Sequence, residues 1–147
     1  MKLIDTRTGI EVITTDECMQ LLGTKQVGRL AFLSGGLPQI VPVNYVLDGG
    51  AVVFATGSGS KLWGATRSAV AFEVDHVDET VRAGWSVVVH GLAQEITDLD
   101  RPDLVSRVRG LPLRPWAGGD RPNLIRLAAT TVTGRRVGTA STLGVQR

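Results

Sequence analysis

Cysteine is almost missing from this chain: Cys18 stands alone, so no internal disulfide can form and no thiolate cage can hold a metal. Lysine is nearly as scarce, at positions 2, 25 and 61 only, and arginine carries most of the positive charge. Aromatics make up 5% of the residues, which leaves the core to aliphatic side chains; the Val-rich stretches among them point to strands. No apolar run approaches the roughly 20 residues that span a bilayer, and the charged start (Lys2, Asp5, Arg7, Glu11) has no signal-peptide core. Basic residues are not bunched either. The net charge of +2 is spread along the chain, whereas nucleic acid or a membrane surface is met by a concentrated basic face. Repeats, low-complexity tracts and linkers are lacking. At 147 residues the expectation is one cytoplasmic domain over 1–147, with an N-terminal arm at 1–13 and a C-terminal tail at 137–147.

What is present alternates. Residues 27–33 end at Ser34-Gly35-Gly36, residues 39–47 end at Asp48-Gly49-Gly50, and 51–56 follow at once. Such turns accept positive φ, so three strands joined as an antiparallel meander are expected. Residues 70–75 return as a strand with Val70, Phe72 and Val74 on one face. A long strand follows over 85–98, with Gly91 as a bulge or bend. The last strand is expected over 123–132, with a frayed or partner-draped end from Gly134 onward. A short helix opens after Thr14, whose spacing to Glu17 is that of a capping box; Cys18, Leu21 and Leu22 share its apolar face and Gly23 stops it. A second helix is expected over 58–67. Asp100 can cap a third, with Pro102 in its first turn and Leu104, Val105 and Val108 as its buried stripe. Residues 111–122 read as a Pro/Gly-rich loop. About six strands without βαβ units favour a mainly β fold, a small antiparallel barrel with peripheral helices.

Few residues promise chemistry. Thr56-Gly57-Ser58-Gly59-Ser60-Lys61 lies where a strand gives way to a helix. Small residues, hydroxyls and a lysine there can bind a phosphate, or can form a flexible turn with the lysine in water. Neither the P-loop nor the dinucleotide glycine pattern fits. Pro42 inside a strand requires an edge or a bulge. Asn44 beside it can meet the polar edge of a planar heterocycle, although an exposed Asn on an edge strand is the simpler reading. Trp85 can cover a ring or serve as a rim or core aromatic. His76 reads as an exposed turn residue, His90 as a satisfied structural residue, and Arg135-Arg136 as solvated rather than reaching a phosphate of a neighbouring subunit. No hydrolytic triad and no metal-ligand spacing is recognisable, and no residue stands out as an acid or base.

Taken in order, Val27-Gly28-Arg29-Leu30-Ala31-Phe32, Val41-Pro42-Val43-Asn44-Tyr45, Thr56-Gly57-Ser58-Gly59-Ser60-Lys61-Leu62, Phe72-Glu73-Val74-Asp75 and Gly84-Trp85-Ser86-Val87 resemble the pyridoxamine 5′-phosphate oxidase-like flavoproteins. The compact branch with nitroimidazole-reductase-like members is the nearest match. The resemblance implies a six-stranded antiparallel split β-barrel (Greek-key) that forms a homodimer, with FMN in clefts at the subunit interface. It also implies roles: Val43, Asn44 and Tyr45 beside the isoalloxazine ring; Thr56, Ser58 and Lys61 at the ribityl phosphate; Trp85 and Ser86 approaching from an adjoining strand of the same or the other subunit. Residues 100–123 match no pattern of the family.

Three function classes follow from the resemblance. The first is an FMN-dependent oxidoreductase acting on a small-molecule substrate, or its variant using the deazaflavin coenzyme F-420, whose acidic tail would look to Arg67, Arg135 and Arg136. The second is a flavin carrier without catalysis. The third is a haem protein, which would draw on His76 or His90. The basic residues that mark a true pyridoxamine phosphate oxidase cannot be placed, so vitamin B6 synthesis is not expected.

Overall fold

The computed structural model describes residues 3–5, 7–56, 68–96, 101–109 and 123–138. Its strands are β1 (Leu3–Asp5), β2 (Ile10–Ile13), β3 (Val27–Ser34), β4 (Leu37–Asp48), β5 (Ala51–Thr56), β6 (Ala69–Asp78), β7 (Ala83–Ile96) and β8 (Asn123–Val137). Two helices are described, α1 (Thr15–Leu22) and α2 (Pro102–Arg109). The helix expected over 58–67, the loop over 111–122 and the far tail lie outside the described residues.

Six strands close into a ring in the order β8-β5-β4-β3-β6-β7, with β7 returning to β8 and every pairing antiparallel. The meander β3-β4-β5 is followed by β6 lying back beside β3, which is the Greek-key order. Gly35 and Gly36, with φ of 59° and 78°, supply the two positive dihedrals of the tight β3–β4 hairpin. Period-two alternation fills the barrel. Leu30 and Phe32, Val43 and Tyr45, Val52 and Phe54, Phe72 and Val74, Val87 and Val89, Ile125 and Leu127 all point inward and are buried. The ring is imperfect along β4. Leu37 to Asn44 pair only with β3, and pairing with β5 begins at Tyr45. Among the described residues, the β5-side edge from Leu37 to Val43 has no strand partner. Pro42 sits there, as a residue without an N–H donor should.

α1 packs Cys18 and Leu22 into the main core. Its cap is half of the expected box: the Glu17 N–H donates to Thr14 Oγ1 at 3.3 Å, but the Glu17 carboxylate goes to Arg136 instead of back to the cap. α2 lies on the outside. Leu104 and Val108 cover Val53, Ala55 and Leu124 as a second, smaller core. Arg101 anchors α2 to the sheet with a two-pronged contact to Asp48, at 2.9 and 3.0 Å.

The N-terminal arm carries two strands, β1 paired with β2 and β2 with the far end of β8. One expectation needs correction. The last strand does not fray at Gly134 but runs to Val137, held by β7 on one side and β2 on the other. The irregularity placed at Gly91 is a bulge whose extra residue, Thr130, lies on β8: His90 pairs with Thr131 and Gly91 with Ala129. Gly91 is nonetheless required, because a Cβ there would sit 2.0 Å from the Ala128 carbonyl oxygen.

Candidate functional site

The residues singled out from the sequence fall on two walls. On β4, Val43 and Tyr45 are 2% exposed and face the core, where the Tyr45 ring meets Phe72 edge-on at 5.0 Å. The Tyr45 hydroxyl donates to the Leu22 carbonyl and so closes the end of α1; burial holds its pKa far above the usual phenol range. These two residues can therefore face a ligand through their backbone rather than their side chains. Asn44 points the opposite way, toward the side that α2 covers, and its exposure is 0%. The exposed edge-strand Asn expected from the sequence is thus a fully buried amide. Thr56 ends β5, paired with Asn123. Extending the β4–β5 register by two residues brings Thr56 level with Val43, at the fork where the two strands part. Ser58 and Lys61 lie outside the described residues.

Trp85 and Ser86 stand on β7, three strands from β4 in either direction around the six-stranded ring. Trp85 is half-buried and packs partly on the main core. Both residues border a cavity of about 410 Å³ on the outer wall, whose other lining residues include Glu73, Asp75, Val77, Arg82 and Val137. The fold thus brings together Val43, Asn44, Tyr45 and Thr56, brings together Trp85 and Ser86, and sets the two groups on opposite sides of one barrel.

Residues that the sequence did not single out complete the second wall. Glu73 and Asp75 alternate outward on β6, and Arg29 on β3 reaches both, at 3.6 and 3.4 Å. The Glu73 carboxyl is pushed up to about 7, first by burial and then by Asp75 beside it, against the pull of Arg29. The signal was available in Phe72-Glu73-Val74-Asp75, where two acids share one face of a strand whose other face is core.

Two further readings change. Arg136 is not solvated: its Nη1 lies 2.8 Å from Glu11 Oε2, its Nη2 meets Glu17, and the Glu11 side chain is only 6% exposed. Arg135, one residue away, is exposed and faces outward beside Ser86 and Val88. His90, expected as a satisfied structural residue, is exposed, on the rim of an apolar groove of about 520 Å³ with Leu33, Pro38 and Leu92. His76 is exposed as expected, but on β6 rather than a turn, with Nδ1 3.1 Å from Lys25 Nζ. No described helix is long and apolar enough to cross a membrane.

Comparison with known proteins places this architecture. A family model described as pyridoxamine 5′-phosphate oxidase matches residues 14–136. The uncharacterised protein Rv0080 of Mycobacterium tuberculosis is 38% identical over 128 residues, which are 83% of this chain and 82% of that protein. Among solved structures, the FAD binding protein from Mycobacterium smegmatis superposes with a TM-score of 0.66 at 29% identity, covering 86% of this chain and 97% of its own. A FAD-binding protein from Mesorhizobium loti gives 0.69 at 25% identity, covering 87% and 98%.

Proposed function

Because the chain belongs to the pyridoxamine 5′-phosphate oxidase family, we propose that it is a flavin-binding homodimer that reduces a small organic substrate by hydride transfer. The observation that carries this reading is the separation of the two walls. A cleft that uses both the β4–β5 fork and the β7 wall must take one from each of two chains, because a single barrel holds them on opposite sides. Exposed apolar residues agree with a partner surface: Leu33, Leu37 and Ile40 at the β3–β4 hairpin are 68%, 65% and 70% exposed.

The residues suit a flavin. The cavity beside Trp85 and Ser86, about 410 Å³ and largely apolar, is within the range of small-molecule sites. Its acids, Glu73 and Asp75, would repel a phosphate, so the phosphate end belongs at the fork. There the hydroxyls of Thr56 and Ser58 and the Lys61 ammonium would hold it. The β4 edge from Leu37 to Val43, which no described strand covers on the β5 side, offers the ring backbone N–H and C=O groups, and Trp85 offers an apolar face. A bound flavin supplies the hydride chemistry at its N5; the chain supplies position and electrostatics.

FMN is the expected form, with FAD or the deazaflavin F-420 as the alternatives. For the deazaflavin, Arg136 is already committed to Glu11 and Glu17, which leaves Arg135 and Arg67 for its acidic tail. Titration of cofactor-stripped protein with each of the three, followed by flavin fluorescence, tests the reading. Saturation at one site per chain supports it, and no binding of any of them overturns it. A Soret band on adding haem would instead assign the groove at His90. Lys61→Ala is expected to weaken FMN binding by about 1.5–3 kcal/mol, the scale of a hydrogen bond to a charged group. Turnover with a nicotinamide or reduced-deazaflavin donor separates an enzyme from a carrier.

A further inference from the structure

Glu73 lines the same cavity as Trp85 and Ser86. Its Oε1 is shut off from water and makes no hydrogen bond. The nearest cation, Arg29 Nη1 on the adjacent β3, lies 3.6 Å away, and the same nitrogen is nearer to Asp75 Oδ2, at 3.4 Å. On the other side, β7 sets Val88 opposite Glu73 and Ser86 opposite Asp75, neither of them charged. Arg82, in the β6–β7 turn with a φ of 57°, is the remaining charge on the cavity wall. His90 faces outward two residues beyond Val88 on β7, opposite Ala71, and Arg135 lies on β8 opposite Ser86. One arginine is thus shared between two carboxylates, and one oxygen of Glu73 is left without a donor. An ionised carboxylate in that position is costly, whereas a protonated one becomes a donor itself. Burial and Asp75 together hold the group up to about 7.

We propose that Glu73 is the proton-holding group of the cofactor cleft: protonated, it donates a hydrogen bond to an acceptor atom on the flavin ring, and ionised, it opposes binding. This rests on the flavin reading above and adds to it a residue outside the set drawn from the sequence. The carbonyl oxygens and unprotonated nitrogens of an oxidised flavin are acceptors, and its phosphate is anionic. A carboxylate on this wall offers such a ligand neither a donor nor a favourable charge, and a neutral carboxyl offers the donor without the repulsion. Flavin binding is then proton-linked.

The test is the FMN dissociation constant between about pH 5.5 and 8.5 for the wild type, Glu73→Gln and Asp75→Asn, read by flavin fluorescence. Dividing the wild-type constant by that of Glu73→Gln at each pH removes the titration of the FMN phosphate. The ratio is expected to be flat at low pH and to rise above about pH 7 toward tenfold per pH unit, because the Gln amide donates at every pH. Asp75→Asn removes the neighbouring negative charge and leaves Arg29 to Glu73 alone, so Glu73 ionises more easily and the rise, read in the same way against Glu73→Gln, is expected to begin at lower pH than in the wild type. A ratio that stays flat across the range, or a rise that Asp75→Asn leaves at the wild-type pH, overturns the proposal while leaving the flavin reading intact. Absence of FMN binding at every pH overturns the flavin reading itself.

Discussion

At Arg135 and Arg136 the pleat of one strand separates two identical side chains. Arg135 faces out, while Arg136 turns toward α1 and holds Glu11, whose side chain is 6% exposed. Arg136→Ala would leave a buried carboxylate short of its cation, and a loss of about 3 kcal/mol is expected from chemical denaturation. A change below about 0.5 kcal/mol would mean that Glu11 is satisfied without it. Glu73 makes a different prediction, free of any cofactor. Its pKa rises from 4.5 to about 7 on folding, so the native state binds the proton more tightly than the unfolded chain. The stability this brings is full below the unfolded value and is lost as pH rises through the folded one. The wild type should therefore lose more thermal stability than Glu73→Gln between about pH 5 and pH 8, and equal losses would contradict the assignment. Neither arrangement was legible in the sequence. Arg136 finds Glu11 across 125 positions of chain, and the environment of Glu73 depends on a β3–β6 pairing that no local pattern announces.

At the scale of elements, the sequence spoke clearly where strands end in glycine turns and alternate in polarity, as β3 to β6 do. It was silent where both conditions fail. β1 and β2 are three and four residues long, too short to show a period, and the end of β8 is polar because one face is open and the other meets α1 and charged partners. Asn44 misled for a related reason: a polar residue in an apolar run reads as an exposed edge, but the folded chain buries it completely. Two substitutions test the elements that hold the site in place. Gly91→Ala drives a methyl into the Ala128 carbonyl at the β8 bulge and should cost about 1–3 kcal/mol, read as a lower denaturation midpoint. Leu104→Ala empties the contact of α2 with Val53, Ala55 and Leu124 and should cost about 2–5 kcal/mol. A neutral result for Leu104→Ala would mean that α2 does not hold the outer face of β4 and β5.

For the whole molecule, the fold and the family were legible because several weak motifs occurred in a fixed order. The distribution of site residues between two walls was not, since it follows from closing six strands into a ring. The central claim is that each cleft takes the β4–β5 fork of one chain and the β7 wall of its partner. Subunit complementation tests it most directly. Lys61→Ala damages the first wall and Trp85→Leu the second, each spoiling both clefts of its own homodimer. After the two are mixed and allowed to exchange, half the dimers are mixed, and each mixed dimer has one cleft free of either substitution. About a quarter of all clefts should then bind FMN with wild-type affinity. If both variants dimerise and exchange but no wild-type sites return, the cleft lies within one chain and the account is wrong.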